Sequence, residues 1–330
     1  MVWHPLGGER DVSGDERDAS GDVSGDERDG SGEGRAATVD GPRVPILPLG
    51  DPTGPPVVVV PGLTDGLQPV SRPAGRHLFD ELPVPMDRCR GLVVSYRHPL
   101  TGAVTTAGLA ADLAEVIDTR VGAPVVLIAH SMGTMVAQHL AARRPDLVAG
   151  MVLSAPLVDV DDEVRAVIER WAALVRDGRW AEFTEDALAC SYTGAELARR
   201  RERSDALPPD APDEALRRRY LRLSEACLRH DASEVLAAIR VPALVLAGEE
   251  DPIAPPHQAR RLAAGLHDAE LHVLPGLAHG FPEEAASHFT AFVTAFLGEV
   301  AGRTAAWVGT DRSVGTDRSV GTGPSVGTGP

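Results

Sequence analysis

The chain has 330 residues, with 48 acidic and 32 basic side chains and a formal net charge of −16 at pH 7. This excess of negative charge argues against electrostatic binding to nucleic acid or to an anionic membrane surface. Every basic residue is an arginine, which excludes chemistry that needs a lysine amine, such as Schiff-base formation. The three cysteines, Cys89, Cys190 and Cys227, are too few and too widely spaced for a zinc site or a disulfide framework.

Both ends of the chain are repetitive and polar. Residues 11–21 and 22–32 repeat an eleven-residue unit, and the sequence VGTDRS occurs twice in succession after residue 307. Because such segments cannot bury a core, we expect residues 1–40 and 301–330 to be disordered tails. The polar start carries no secretory signal, and no apolar run reaches the roughly 18 residues of a membrane span. We therefore expect a cytoplasmic protein without membrane contact.

Between these tails, short apolar runs alternate with segments of helical periodicity. Helical spacing is found in 106–118, in 132–144 and after Pro282. The pattern predicts an α/β fold with a mostly parallel, doubly wound sheet, built from residues 41–156 and 240–300. The predicted strands are Val57–Val60, Leu92–Tyr96, Val125–Ala129, Leu147–Ser154, Ala243–Ala247 and Leu271–Leu274.

Residues 157–239 contain no strand pattern and predict a helical cap. The insertion follows the fourth predicted strand, so the cap should lie above the carboxyl edge of the sheet. We interpret its arginine clusters, at 199–201 and 217–219, as solvated helix faces. Four aromatic residues of this segment are predicted to form the core of the cap, and two of them, Trp171 and Tyr192, are candidates for substrate contact. The four are Trp171, Trp180, Phe183 and Tyr192.

The strongest local motif is VVLIAHSMGT at residues 125–134, which predicts a strand, a sharp turn and a helix, with Ser131 at the turn. A turn of this kind requires small residues two positions before and after the serine, and Ala129 and Gly133 meet that requirement. The following helix directs its positive end toward developing negative charge. Ser131 is thus a candidate nucleophile, and the alternative is an ordinary helix cap.

A serine nucleophile needs a base to accept its proton. His279 lies between the last predicted strand and the last predicted helix, in a loop at the same sheet edge as Ser131. Other histidines are in unsuitable places, such as the N-terminal tail or the interior of a strand or helix. They include His4, His139, His272 and His288.

The base in turn needs an acid to orient it, and backbone amides must stabilise an oxyanion. Asp251, in the loop after the strand at 243–247, is the first choice for the acid. Glu249, Glu250 and Asp159 remain alternatives. The turn at Pro61-Gly62 follows the first predicted strand, so the backbone amides of Leu63 and Met132 are the predicted oxyanion donors.

The order Ser131, Asp251, His279, with helices inserted after the fourth predicted strand, resembles the α/β-hydrolase superfamily over residues 44–299. The most similar branch contains small-molecule esterases, lactonases, cofactor-free haloperoxidase-like proteins and proline iminopeptidases. The chain departs from the usual pattern at Ala129, where the family has glycine, and at Pro61, where it has histidine. The resemblance also implies that Leu63 takes the first oxyanion position. Serine as nucleophile disfavours the related epoxide hydrolases and haloalkane dehalogenases, which use aspartate.

These observations predict a serine hydrolase that cleaves an ester, lactone, thioester or related acyl bond of a small molecule through an acyl-enzyme. Neither a metal nor an organic cofactor is expected. One alternative is a carbon–carbon bond hydrolase or acyltransferase that uses the same three residues. An alternative of another class is a ligand receptor without turnover. The sequence does not indicate an oligomeric state.

Overall fold

The computed structural model describes residues 43–70, 88–205 and 213–303, so the predictions for residues 1–40 and for the repeats after residue 303 lie outside it. The described residues form a seven-stranded sheet in the order β1-β3-β2-β4-β5-β6-β7. Strand β1 is antiparallel to β3, and the other neighbouring strands are parallel. This confirms the predicted fold class. The strands are β1 Ile46–Gly50, β2 Pro56–Val60, β3 Arg90–Val94, β4 Val125–His130, β5 Val148–Ser154, β6 Ala243–Gly248 and β7 Ala269–Leu274.

The central strands read as continuous apolar runs because helices cover both faces of the sheet. Every residue of β2, β4, β5 and β6 is buried. Strand β1 was not predicted, because it is short, contains Pro48 and has exposed positions. A proline is tolerated there because β1 is an edge strand. The fourth predicted strand is consequently the fifth strand of the structure.

The helices predicted at 106–118, at 132–144 and after Pro282 are confirmed, with ends shifted by a few residues. The C-terminal segment divides into α8 and α9 at Ala285, and α9 continues past the predicted end of the body at residue 300. None of the helices in the described ranges is both long and apolar enough to cross a membrane. The helices are α1 Thr106–Val116, α2 Met132–Arg143, α3 Asp162–Arg176, α4 Trp180–Ser191, α5 Gly194–Asp205, α6 Glu214–Leu228, α7 Pro256–Gly265, α8 Phe281–Glu284 and α9 Ala286–Arg303.

Helices α3–α6 separate β5 from β6 in the chain, and we call them the inserted helices. Three of them share an aromatic core in which Phe183 makes edge-to-face contacts with Trp171, Trp180 and Tyr220 at centroid distances of 5.3–5.8 Å. Edge-to-face contacts of this kind stabilise beyond the area that the rings bury. The aromatic core therefore holds α3, α4 and α6 together.

The parallel arrangement decides where the candidate site residues lie. Strands β2, β4, β5, β6 and β7 all run in one direction, so the loops that follow them leave the same edge of the sheet. Leu63 follows β2, Ser131 follows β4, Asp251 follows β6 and His279 follows β7. Residues far apart in the sequence thereby meet at the carboxyl edge.

Candidate active site

Ser131 occupies a strained turn between β4 and α2. Its backbone has φ 51° and ψ −121°, a conformation that non-glycine residues adopt only where the surrounding structure imposes it. A β-carbon at Gly133 would lie 2.3 Å from the carbonyl oxygen of Val60, so a glycine is required where the turn meets the neighbouring strand. Ala129, at the other small position, is completely buried. The turn therefore places the Ser131 hydroxyl at the start of α2.

His279 and Asp251 are in direct contact. The Nδ1 atom of His279 lies 2.7 Å from Oδ2 of Asp251, and the aspartate side chain is 0% exposed. The other oxygen, Oδ1, accepts hydrogen bonds from the amides of Ile253 and Ala254, each at 2.8 Å. An ionised carboxylate can only accept, so Nδ1 donates and Nε2 of a neutral His279 keeps its lone pair.

The three rival carboxylates make other contacts. Asp159 accepts hydrogen bonds from Arg261, which lowers the pKa of Asp159. Glu249 accepts from the amide of Gly276 at 3.3 Å, and both Glu249 and Glu250 are exposed. Within the described residues, Asp251 is thus the carboxylate that contacts His279.

The loop after β2 passes beside Ser131, since a β-carbon at Gly62 would lie 3.5 Å from the β-carbon of Ser131. The amide of Gly66 donates to the carbonyl of Gly62 at 3.1 Å, which closes a tight turn around Leu63. Tyr96 donates its hydroxyl proton to the carbonyl of Pro61. Across the described ranges, the amides of Leu63 and Met132 form no hydrogen bond, so both are available to an oxyanion.

His130 is a site residue that the sequence analysis did not single out. Its ring centroid lies 4.8 Å from that of His279, and burial, followed by the charge of His279, lowers its pKa well below the usual value. Ser154 donates its hydroxyl proton to the carbonyl of Ala129, so Nδ1 of His130 must donate to Ser154 Oγ, 3.0 Å away. His130 is therefore neutral and adds no positive charge beside His279. Its position next to Ser131 was the only available sequence signal.

One cavity, of about 70 Å³, joins the turn, the histidine and the inserted helices. Most of its wall is apolar, and among the described lining residues Asp65 is the carboxylate, while His130 and His279 supply the two imidazoles. The lining residues are Gly62, Leu63, Thr64, Asp65, His130, Ser131, Met132, Met135, Leu157, Ile168, Trp171, Ala187, Ser191, Tyr220, Cys227, Ile253 and His279.

Of the two candidates for substrate contact, Trp171 lines the cavity, whereas Tyr192 does not. Tyr192 instead lies behind the His279 loop, where its hydroxyl donates to Glu283 at 2.7 Å. Its ring also lies against the position where a β-carbon of Gly280 would be, 2.5 Å from the nearest ring atom. The expectation for Tyr192 is therefore corrected, because this packing turns the side chain away from the cavity.

The arginine clusters of the inserted helices are only partly solvated. Most of their members pair with glutamates on the helix surface, as expected. Arg219 is an exception because it is 6% exposed, and Arg200 forms an ion pair with the 5% exposed Glu283 side chain. The prediction that these arginines lie on solvated helix faces is wrong for Arg219 and Arg200. Arg219 contacts the loops after β2 and β3, and Arg200 contacts Glu283 of α8.

Comparison with known proteins identifies the family of this chain. A sequence model of the family described as "Serine aminopeptidase, S33" matches residues 104–286, more than half of the chain. The chain belongs to this family of α/β hydrolases. The matched region contains Ser131, Asp251 and His279, whereas Leu63 precedes it.

Curated relatives of this S33 hydrolase include three bacterial proteins. Lipase LipV of Mycobacterium tuberculosis is 36% identical over 124 residues, which cover 37% of this chain and just under half (46%) of LipV. A putative carbamate hydrolase RutD of a Caulobacter species is 28% identical, with 66% of this chain and 84% of that protein covered. A pimeloyl-[acyl-carrier protein] methyl ester esterase of Chromobacterium violaceum is 30% identical, with 51% and 67% covered.

Solved structures share the fold. The α/β hydrolase MGS-M2, from a deep-sea metagenome library of the Medee basin, is 19% identical and has a TM-score of 0.69, covering 78% of this chain and 94% of that chain. The enol-lactonase of Burkholderia xenovorans is 23% identical with a TM-score of 0.67, covering 79% and 98%. At these identities the likeness shows the fold alone.

Proposed function

We propose that this S33 hydrolase cleaves small acyl compounds through a triad of Ser131, His279 and Asp251. The observation that carries the proposal is the 2.7 Å contact between His279 Nδ1 and the fully buried Asp251 carboxylate, because His279 lines the same cavity as Ser131. A buried carboxylate that accepts two amides and one imidazole is held in a single orientation. It would keep the histidine in the tautomer that a general base requires.

In the proposed mechanism, Nε2 of His279 takes the proton of Ser131 Oγ as the oxygen attacks the substrate's acyl carbon. A C–O bond forms, and the electron pair of the carbonyl bond moves to its oxygen. His279 then gives the proton to the departing alcohol, amine or thiol, which leaves an acyl-enzyme. A water molecule repeats the sequence with His279 as base, and it releases the acid and restores Ser131.

The oxyanion would lie between the amides of Leu63 and Met132. Each donor of this kind contributes roughly 3–4 kcal/mol to stabilisation of the transition state. Met132 is the first residue of α2, so the positive end of the helix dipole adds to its effect. No step of this mechanism uses a metal or organic cofactor.

The cavity supports a substrate with a short, uncharged acyl group. Its volume of about 70 Å³ is filled by a handful of water molecules, and its wall carries the Asp65 carboxylate but no arginine among the described lining residues. An acyl chain that ends in a carboxylate would bring a like charge toward Asp65. Esters, lactones and carbamates, the compounds named for its relatives, all contain the required acyl carbon.

The decisive experiment is labelling with a fluorophosphonate, followed by mass analysis of the peptide that contains Ser131. We expect one phosphonate on Ser131, none on Ser191, which lines the same cavity, and none on the Ser131→Ala variant. With a chromogenic acetate or butyrate ester, Ser131→Ala should lower kcat by a factor on the order of 10⁶. Alanine leaves the packing of the turn unchanged, so the melting temperature should hold.

Two outcomes would contradict this proposal in different ways. A protein that binds acyl compounds but neither reacts with the probe nor releases product would be a ligand receptor. A protein that reacts with the probe but transfers its acyl group to an added alcohol or amine in preference to water would be an acyltransferase.

A further inference from the structure

Arg219, on the inserted helix α6, carries a buried positive charge without a carboxylate partner. It is 6% exposed, and within the described residues no acidic side chain lies within ion-pair distance of it. Burial lowers its pKa to about 10, so it remains charged at neutral pH. Because an uncompensated buried charge is costly, the contacts that hold the guanidinium must offset a substantial desolvation penalty.

Those contacts are three backbone carbonyls of the sheet domain. The guanidinium donates to the carbonyl of Tyr96 at 2.8 Å, of Arg97 at 2.9 Å and of Gly66 at 3.2 Å. Tyr96 and Arg97 belong to the loop after β3, and Gly66 belongs to the loop after β2 that carries Leu63. One side chain of the inserted helices thus ties together the two loops beside the candidate oxyanion site.

The contact with Gly66 is coupled to the orientation of the Leu63 amide. The N–H of Gly66 donates to the carbonyl of Gly62, which belongs to the same peptide unit as the N–H of Leu63. A trans peptide is planar, and its C=O and N–H point in opposite directions. Holding the Gly62 oxygen toward Gly66 therefore turns the Leu63 N–H away from the turn.

Tyr96 reinforces the same arrangement. Its ring packs against Gly66, where an added β-carbon would lie 2.4 Å from the ring. Its hydroxyl donates to the carbonyl of Pro61, and its own carbonyl is bound by Arg219. Arg219 consequently acts on the turn directly through Gly66 and indirectly through Tyr96.

We propose that Arg219 is a positioning residue that holds the Leu63 amide in place for the oxyanion, so that the inserted helices take part in stabilising the transition state. This inference rests on the proposed serine-hydrolase function. Arg219 does not line the cavity and touches no substrate in this mechanism. Its effect should therefore appear in kcat, while substrate binding in the ground state is left nearly unchanged.

A matched control is available on the same helix. Arg222 also donates to backbone carbonyls, those of Leu100 and Gly102, and so joins α6 to the loop after β3. It makes no contact with the turn at 62–66 in the described structure. Arg222→Gln removes an anchor of the same chemical kind without affecting the orientation of Leu63.

The test compares Arg219→Gln, Arg219→Lys and Arg222→Gln with the unaltered protein on a neutral chromogenic ester and on a trifluoromethyl ketone. The ketone adds Ser131 Oγ to its carbonyl carbon, the proton passes to His279, and the resulting oxyanion needs the same amides. We expect Arg219→Gln to lower kcat by roughly 10- to 100-fold, with KM within about threefold, and to weaken ketone binding by the same factor as kcat/KM.

Arg219→Lys should show a smaller decrease in kcat and in ketone affinity than Arg219→Gln, because an ammonium still reaches some of the three carbonyls. It serves as the test variant if Arg219→Gln does not fold. Arg222→Gln should stay within about threefold in kcat and in ketone affinity. The inference is overturned if the Arg219 variants keep full ketone affinity, or if Arg222→Gln loses as much as they do. If the unaltered protein forms no ketone adduct, the proposed function itself fails, and the inference fails with it.

Discussion

Asp251 accepts a hydrogen bond from His279 across 28 positions of sequence, between loops that follow the adjacent strands β6 and β7. The register of these strands brings Gly248 opposite Leu274, so both loops begin at the same level of the sheet edge. A β-carbon at Gly248 would lie 2.4 Å from the carbonyl oxygen of Leu277, which shows how closely the His279 loop approaches β6. The pair is therefore held by backbone packing as well as by its own hydrogen bond.

Asp251→Asn should lower kcat by roughly 10⁴. The asparagine oxygen can still accept from the amides of Ile253 and Ala254, which would turn its NH₂ group toward His279. The histidine would then have to accept at Nδ1, so its proton would lie on Nε2, where the base is needed. Steady-state hydrolysis of a chromogenic ester measures the loss.

Asp159→Asn is the control for that variant, because it removes an ion pair with Arg261 away from His279. We expect its kcat to stay within about threefold of the unaltered protein, since a partly exposed ion pair contributes little. The reverse ranking of the two variants would move the acid to Asp159.

The pH dependence of stability should reflect His230, which is 3% exposed. Thr106 Oγ1 lies 2.9 Å from its Nδ1 and the carbonyl of Leu157 lies 3.3 Å from its Nε2, so a neutral ring satisfies both contacts. Burial, followed by the charge of nearby His139, lowers the pKa of His230 to about 3. Below about pH 6.5 the unfolded chain therefore binds a proton that the folded chain does not, and the free energy of unfolding falls as pH falls from about 6.5 toward 3.

Urea unfolding at pH 7 and pH 5 tests this effect. His230→Gln should lower stability at pH 7 but remove about 2 kcal/mol of the decrease between the two pH values. His288→Gln, which changes an exposed histidine of α9, should keep the original decrease. If the free energy of unfolding decreases by the same amount between pH 7 and pH 5 in His230→Gln and in the unaltered protein, His230 is not a source of acid sensitivity.

Gly133→Ala should destabilise the fold or distort the turn at Ser131. Its β-carbon would lie 2.3 Å from the carbonyl oxygen of Val60 and 2.9 Å from that of Pro61, and neither backbone atom can move without shifting β2. We expect a loss of several degrees in melting temperature together with loss of fluorophosphonate labelling. Gly298→Ala, at an exposed position of α9 with open space around it, should instead stabilise by about 0.5–1 kcal/mol.

Selectivity against charged acyl groups should depend on Asp65. The unaltered protein should hydrolyse an aryl butyrate with a kcat/KM at least about tenfold higher than the aryl monoester of succinate, because the latter brings a carboxylate toward Asp65. Asp65→Asn should narrow that ratio. The comparison of two substrates on one variant cancels any general loss of activity, and an unchanged ratio would show that Asp65 does not sense the acyl group.

The sequence alone predicted the α/β fold and the turn at Ser131, because both depend on local patterns. Continuous apolar runs identify strands that are buried on two faces, and the small residues Ala129 and Gly133 identify a turn that admits no larger side chain. The sequence pattern did not predict β1, whose proline and exposed positions are typical of an edge strand. It also predicted that Arg219 is solvated, whereas the side chain is buried.

Only the tertiary structure decided which of four carboxylates contacts His279, since all four lie near strand ends and spacing along the chain does not measure distance across a sheet. The tertiary structure also decided the contacts of two side chains on the inserted helices and the segment between them. Tyr192 packs behind the His279 loop, and Arg219 donates to the carbonyl of Gly66 from 153 positions away. A side chain's partner depends on the register of parallel strands and on the way in which the inserted helices pack. Both arise from long-range contacts that no local pattern encodes.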